Sequence, residues 1–562
     1  LLVMMSTGRG ASDLGNIDTC LGLPSNVSHY CIYQSSINNQ YSYMIGVCFP
    51  PSCNTTDDLS AAIMMMASNA QILVFPGNNS VSQCYNNYNN VTVKSWTAGS
   101  IIMLCVCVFF AMIVLVGTAL EYFKSPGEST SKSINFNQYN NMEKDSIPLM
   151  ESYQRNIDMP SKSNDSNHTW STFESIFVAF SLISNIKSFS RIVVPSSGNR
   201  FDALDGIRTF ATCWVVLGHS LQYAMSPGMD NASYVFKEIY PRFTFQVIPS
   251  GEYAVDIFFM LSGFLVANTV LTQLDKLEDT GRSSGPIIWI KYIIHRFIRL
   301  SPLLYFLIFV VWLLSPMLGS GPLWYQSSIN SGCSEYWWSN LLYINNLYPG
   351  VGQCMDWTWY LANDMQYYLL APFVLVAFHK FKPAGYVFVM VILAVCFTSS
   401  IWIYMTFPMF TMTSGNSTDY LNKIYYKPWT RIGPYAVGLA VAMLYRSEKT
   451  KNMYDRRWFR YMAYLLAFGI TSVFTYIPYF MIKRTPDQVW SAIINTLSHT
   501  LFTSALALFL MATFYGHGGS SIDVLGHAII QVLLQTHLLY LSYASHCDTY
   551  LYVLSWYFVP LH

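Results

Sequence analysis

The sequence predicts an all-α polytopic membrane protein of about 11 transmembrane helices, with a small disulfide-containing lumenal or extracellular domain at its amino-terminal end. Three observations predict it. Hydrophobic residues make up 52% of the 562 and charged residues 11%, against roughly 25% charged in soluble domains. Apolar runs of about 20 residues recur along the chain, the length a helix needs to cross hydrocarbon. Five cysteines crowd into a polar amino-terminal stretch rich in Asn, Ser and Tyr, a pattern that belongs to an oxidising compartment. The net charge of +1 says nothing about nucleic acid, but with no basic tract or interleaved basic–aromatic stripe no nucleic-acid partner is expected.

Residues 1–96 hold Cys20, Cys31, Cys48, Cys53 and Cys84, with sequons at Asn26, Asn54, Asn78 and Asn90. Too few apolar residues are present for a self-sufficient core, so disulfides are expected to staple this domain. An odd count leaves one cysteine free or paired upstream of residue 1, and the missing upstream partner is the favoured reading. Position 1 is leucine with no charged, cleavable segment after it, as expected if a leader has been removed or the start is incomplete. Zinc is not expected at GVCFPPSC, because no second cysteine or histidine pair completes four ligands.

Residues 97–121 form the first span, in which Cys105 and Cys107 are apolar fillers. Residues 122–200 read as a cytosolic linker rich in Ser, Asn and Lys, although 172–186 suits an amphipathic helix on the membrane surface. From 201 to 562 ten further spans are expected, at 203–225, 252–272, 289–314, 357–378, 384–405, 430–446, 461–480, 488–514, 524–545 and a short 548–562. Alternating them from a lumenal amino terminus puts Lys276, Arg299, Lys380, Arg446 and Arg457 with other cations in the cytosol, and fewer in the lumen. The same orientation places Cys333, Cys354 and the sequons at Asn231 and Asn416 in the lumen. That makes the chain a multi-pass protein of the secretory pathway, at the plasma membrane or endoplasmic reticulum.

The bundle is organised around FDALDGIRTFATCWVVLGHSLQ, residues 201–222. Arg208 and His219 are eleven residues apart, which rotates a helix by only about 20° and advances it about 16 Å. They share a face, one near a membrane surface and the other within. Ionisable groups at that depth mark a polar cavity or a hydrogen bond to a neighbouring helix. Arg296 and Arg299 stand one turn apart on a later span, with forks suited to a phosphate or to snorkelling among headgroups. In GEYAVDIFFMLSGFLVA, Asp256 is buried by position and must pair or be neutral. Ser262 and Gly263 suit close helix packing. A histidine with a nearby carboxylate makes a base and its orienter, and Asp256, Glu252 and Asp205 all remain open as that carboxylate. His499, His527 and His537 lack ligand spacing and read as satisfied core residues; no metal is expected.

LDGIRTFATCWVVLGH resembles the signature helix of the acyltransferase 3 family of membrane proteins. VDIFFMLSGFLV is similar to the family's second helix and HRFIRLSPLLY to its Arg-x-x-Arg third helix. CSEYWWSNLLYINNLYPGVGQCMDWTWYLANDMQYYLLAP, KPWTRIGPYAVGLAVA and the amino-terminal DTCLGL, YCIY and GVCFPPSC resemble the eukaryotic branch named after nose-resistant-to-fluoxetine proteins. The resemblance implies a membrane O-acyltransferase that takes acyl-CoA or acetyl-CoA from the cytosol and acylates a hydroxyl on a membrane lipid, sterol or glycan. It gives His219 the role of general base and Arg208, Arg296 and Arg299 the grip on the coenzyme. Glu252, Ser262 and Asp364 are the expected acceptor-pocket residues. Near the end, His546 is followed by Cys547 where the family has proline. A non-enzymatic carrier of lipid or other hydrophobic molecules, or a structural membrane subunit, is the alternative on the same bundle.

Overall fold

The computed structural model describes residues 19–20, 23, 29–37, 41–49, 79–85, 96–124, 172–189, 203–224, 234–281, 285–318, 332–407, 417–483 and 487–516. Two compact units emerge, one of residues 97–194 and one of residues 1–96 with 195–562.

In the larger unit the chain begins with three antiparallel strands, β1 (His29–Ile37), β2 (Tyr41–Phe49) and β3 (Asn79–Tyr85), in the order β2-β1-β3. Among the described residues of this sheet, Tyr30, Cys31, Ile32 and Val47 are fully buried. Disulfides reinforce it. Cys48 is bonded to Cys20, and Cys31, opposite Cys84 in the register, is also disulfide-bonded. Cys53 and every sequon lie outside the described residues.

The smaller unit is built on α1 (Ala98–Lys124), the expected first span. Two short helices, α2 (Thr172–Val178) and α3 (Leu182–Phe189), occupy the stretch read as one amphipathic helix. They lie along the carboxyl half of α1. Lys124 pairs with Glu174, the Ser184 hydroxyl donates to Glu121 at 2.7 Å, and the Thr118 hydroxyl accepts from the Leu182 amide at 3.0 Å.

The helices of the bundle are α4 (Ala203–Ala224), α5 (Glu252–Asp279), α6 (Pro286–Leu313), the short α7 (Cys333–Leu341), α8 (Trp359–Lys380), α9 (Lys382–Thr406), α10 (Gly433–Tyr445), α11 (Glu448–Asp455), α12 (Arg457–Lys483) and α13 (Gln488–Phe514). Nine of the eleven expected spans therefore fall on helices; those at 524–545 and 548–562 lie outside the described residues. Seven helices among the described residues are long and apolar enough to cross a membrane, and the chain is a multi-pass membrane protein. α4 and α10 are the two expected spans outside that seven. α4 spends apolar positions on Asp205, Arg208 and His219, and α10 is a shorter apolar helix led in by the turn Pro428–Arg431.

α5 is the axis of the bundle. It packs on α4, α8, α10 and α13, and every residue from Tyr253 to Leu261 is buried. Its closest neighbour is α10, and glycine makes the approach possible. A Cβ added to Gly438 would lie 2.1 Å from the Met260 carbonyl oxygen, and one on Gly263 would lie 2.4 Å from that of Tyr435. Backbone cannot yield as a side-chain tip can, so Gly438→Ala is expected to lower stability by about 1–3 kcal/mol through overpacking. Thermal unfolding of the solubilised protein checks it; an unchanged melting temperature would show that the two helices do not meet there.

One end of α8 is roofed by a folded loop closed by the Cys333–Cys354 disulfide. Beneath it the Asn340 amide donates to the Cys354 carbonyl and the Thr358 hydroxyl, each at 2.7 Å. The Asn345 amide donates to the Gln353 side chain at 2.5 Å. Lys427 donates to the Asn346 carbonyl at 3.0 Å, and burial pushes its ammonium pKa down. Buried amides that bond one another are the reason a polar loop can sit in the interior.

Candidate active site

α4 carries the first residues of interest. The Arg208 guanidinium bonds the Asp205 carboxylate at 3.0 Å, with Asp205 largely exposed and Arg208 turned inward. Further along, Nδ1 of His219 lies 2.9 Å from the Val215 carbonyl oxygen. A carbonyl only accepts, so Nδ1 carries the hydrogen of this bond. The Trp214 indole donates to the Val247 carbonyl at 2.6 Å, holding this helix against the chain just ahead of α5.

The carboxylate partners expected for His219 go elsewhere. Asp205 is bonded to Arg208, and fourteen residues of helix put it about 21 Å from His219. Asp256 is fully buried and belongs to a different histidine. Its Oδ2 lies 2.6 Å from Nδ1 of His499 on α13, and its Oδ1 lies 3.0 Å from Nη2 of Arg431. Arg431 is itself fully buried, with Nη1 at 2.8 and 2.9 Å from the two ring nitrogens of His499. Near-equal distances place that nitrogen off the axis of either ring nitrogen, and with the Nδ1 hydrogen given to Asp256 only Nε2 is left to accept from it. A carboxylate this deep must be matched by a cation, and Arg431 is the cation.

Glu252 begins α5 one turn before Asp256. It sits within electrostatic reach of His499, Arg431 and Asp256, and faces the Tyr420 hydroxyl.

A second polar group lies about 9 Å further along α5. The Ser262 hydroxyl donates to Oδ1 of Asp364 on α8 at 2.7 Å. Oδ2 of Asp364 accepts from the Arg296 guanidinium, which reaches in from α6. The same guanidinium stacks 4.3 Å over the Tyr368 ring. Tyr368 in turn stacks on Tyr292 at 3.9 Å, each hydroxyl donating to the other residue's backbone carbonyl at 3.1 Å. Tyr360 lies within electrostatic reach of Arg208, Arg296 and Asp364, and Tyr368 within that of Arg296, Arg299 and Asp364. Of the three arginines read from the sequence, Arg296 is the one held against Asp364 and Tyr368 by contacts. Arg208 and Arg299 act on the α8 tyrosines at electrostatic range. Arg296 is not a snorkelling surface cation, because Asp364 and Tyr368 hold its guanidinium inside. Ser262 has a polar bond as well as a place beside the Gly263 packing contact.

The residues missed from sequence are Arg431, Tyr292, Tyr360 and Tyr368, together with the role of His499. A signal existed for two of them. A buried Asp256 requires a cation, and Arg431 heads an apolar run with no acidic neighbour within a turn. His499 lies on a helix face with Thr496 and Thr503, more polar than a plain core needs. Among the described residues no group of three or more His, Cys, Asp or Glu side chains converges to hold a metal. His527, His537 and His546 lie outside the described residues.

With this geometry the comparisons with known proteins can be read. The profile of the acyltransferase domain family, acyltransferase 3, matches residues 201–560. Nose resistant to fluoxetine protein 6 of Caenorhabditis elegans is 29% identical over 314 residues, 52% of this chain and 38% of that protein. Regulator of hypoxia-inducible factor 1 of the same organism is 26% identical over 306 residues, 49% of this chain and 56% of that protein. The peptidoglycan O-acetyltransferase OatA of Listeria monocytogenes is 25% identical over 277 residues, 48% of this chain and 37% of that protein. This chain spans only 38% and 56% of the lengths of the two nematode relatives. No solved structure matches. The family match covers the whole stretch from Arg208 and His219 through Arg296, Asp364, Arg431 and His499, and the chain belongs to the acyltransferase 3 family of membrane proteins.

Proposed function

We propose that this protein is an integral-membrane O-acyltransferase that moves an acyl group from acyl-CoA to a hydroxyl acceptor within or across the membrane. The observation that carries the reading is the family match over residues 201–560, with Arg296 held inside the bundle by Asp364 and Tyr368 and Arg208 and Arg299 on the neighbouring helices α4 and α6. Among the relatives, OatA is by its name an O-acetyltransferase.

In this reading the arginines hold the coenzyme's phosphates and pantetheine arm by charge-assisted hydrogen bonds. Nε of Arg296 is buried without a hydrogen-bond partner, so the guanidinium retains a donor after Asp364 has fixed its orientation. Nε2 of His219 takes the proton of the acceptor hydroxyl as its oxygen attacks the thioester carbonyl. The C–S bond then breaks, and the imidazolium returns the proton to the departing thiolate. The coenzyme enters from the cytosol, the amino-terminal sheet is lumenal or extracellular, and the protein resides in the secretory pathway.

The test uses the intact chain in lipid nanodiscs with acyl-labelled acetyl-CoA and long-chain acyl-CoA. Ester formed on added lipid, sterol or glycan should match thiol released. Arg208→Gln and Arg299→Gln are each expected to raise the KM for acyl-CoA about tenfold with kcat nearly constant, the mark of lost uniform binding. If coenzyme neither binds nor releases thiol, the enzyme reading fails and a carrier function replaces it.

A further inference from the structure

The short helix α11, which joins α10 to α12, gathers cations that the fold leaves unmatched. Lys449, Lys451, Arg456 and Arg457 fall within nine residues and all four are exposed. No ion pair among the described residues includes any of them. Arg446, at the end of α10, is matched, because its guanidinium pairs with Asp275. Between 446 and 460 six Lys or Arg residues stand against two acids, Glu448 and Asp455. Cation is in excess at this elbow.

The elbow has a fixed shape. Tyr454 is buried, with its hydroxyl donating to the Leu508 carbonyl of α13 at 3.2 Å and its ring edge-on to Phe459. Nη1 of Arg460 donates to the Tyr454 and Asp455 carbonyls at 2.9 and 3.0 Å, which ties the turn between α11 and α12. A folded turn therefore presents the four cations, and the cost of ordering that backbone on binding is already met.

The place of the elbow names its partner. α12 is long and apolar enough to cross a membrane. Its 27 residues extend about 40 Å, against a hydrocarbon core of roughly 30 Å, so its first turn stands among headgroups. Trp458, Tyr461, Leu465 and Phe468 are exposed along one helical face. Lipid lies against that face, and the indole and phenol sit at its interfacial end. Arg456 and Arg457 directly precede Trp458, and guanidinium forks fit phosphate oxygens. Charge alone would also draw an acidic protein segment. The run from arginines into a lipid-facing strip favours a molecule that carries both phosphate and acyl chains. In the proposed orientation this face is cytosolic, the side on which anionic lipid concentrates.

We infer that Lys449, Lys451, Arg456 and Arg457 form a docking surface for anionic phospholipid headgroups. The inference uses no step of the proposed acyl transfer. Each cation near such a surface is worth about fivefold in affinity.

The experiment titrates the intact chain in neutral detergent with phosphatidylinositol bisphosphate, phosphatidylserine or phosphatidylcholine, and reads bound lipid by native mass spectrometry. Both anionic lipids are expected to bind at least about tenfold more tightly than phosphatidylcholine. Arg456→Gln with Arg457→Gln should weaken anionic binding about 25-fold. Adding Lys449→Gln and Lys451→Gln should abolish the preference. Lys380→Gln with Lys382→Gln is the control. Those lysines are also exposed and lie at the same end of the bundle, where His379 and Arg446 meet on Asp275, and their loss should leave the preference in place. Tighter binding of the bisphosphate assigns the surface to a polyphosphoinositide, and equal binding assigns it to any anionic headgroup; both uphold it. Equal affinity for phosphatidylcholine, a preference that survives in the fourfold variant, or an equal loss in the control overturns the inference. Free inositol trisphosphate binding as tightly as the lipid would also overturn it, since the ligand would then be a soluble phosphate. The replaced side chains are exposed and make no internal ion pair, so each variant should melt with wild type, which separates lost binding from lost fold.

Discussion

Asp256→Ala is expected to leave little folded protein. The carboxylate and the Arg431 guanidinium are both completely shielded from solvent, so removing one strands the other in a medium of low dielectric. Breaking such a pair costs about 3–5 kcal/mol, because the remaining charge keeps its full desolvation penalty. His499 loses the acceptor of its Nδ1–H in the same step. Replacing both charges at once, as Asp256→Leu with Arg431→Met, removes the penalty along with the attraction and should recover most of the stability. Size-exclusion profiles and thermal melts of the detergent-solubilised variants separate these outcomes. A single variant as stable as wild type would show that the pair is not buried in the working protein.

His219→Ala is expected to lower acyl transfer by about 10²–10⁴-fold, the range for loss of a positioned general base. Folding should survive. The Nδ1 bond of His219 is to the carbonyl four residues earlier in its own helix, so truncation breaks no link between helices at that nitrogen. Transfer from labelled acyl-CoA, measured beside a melting curve and coenzyme binding, distinguishes the roles. Lost turnover with intact binding and stability supports the base. Full turnover in the variant would move that role away from His219, and His499, whose Nδ1 is held by a carboxylate as a catalytic imidazole's would be, becomes the group to test.

How much of this was legible beforehand depends on the range of the interaction concerned. Most helices of the bundle were readable because crossing hydrocarbon demands about 20 apolar residues in succession, a requirement that seven of the described helices meet alone and that α4 and α10 do not. The shared face of Arg208 and His219 was readable for the same local reason, since helical periodicity places residues eleven apart in line. The Asp364 position was legible as a polar site; its neighbours Arg296 and Ser262 were legible singly. Their union was not, because the Arg296 bond spans 68 residues of sequence and the Ser262 bond 102.

The sequence by itself determined that the chain crosses a membrane repeatedly, where its helices run, and that arginines and a histidine stand within apolar helices. Only the tertiary structure decided which carboxylate serves which cation. Asp256 and His499 meet across 243 residues, and no spacing rule reaches so far. Local pattern declares that a buried charge must be neutralised, whereas the packing of α5 against α10 and α13 selects the residue that does it.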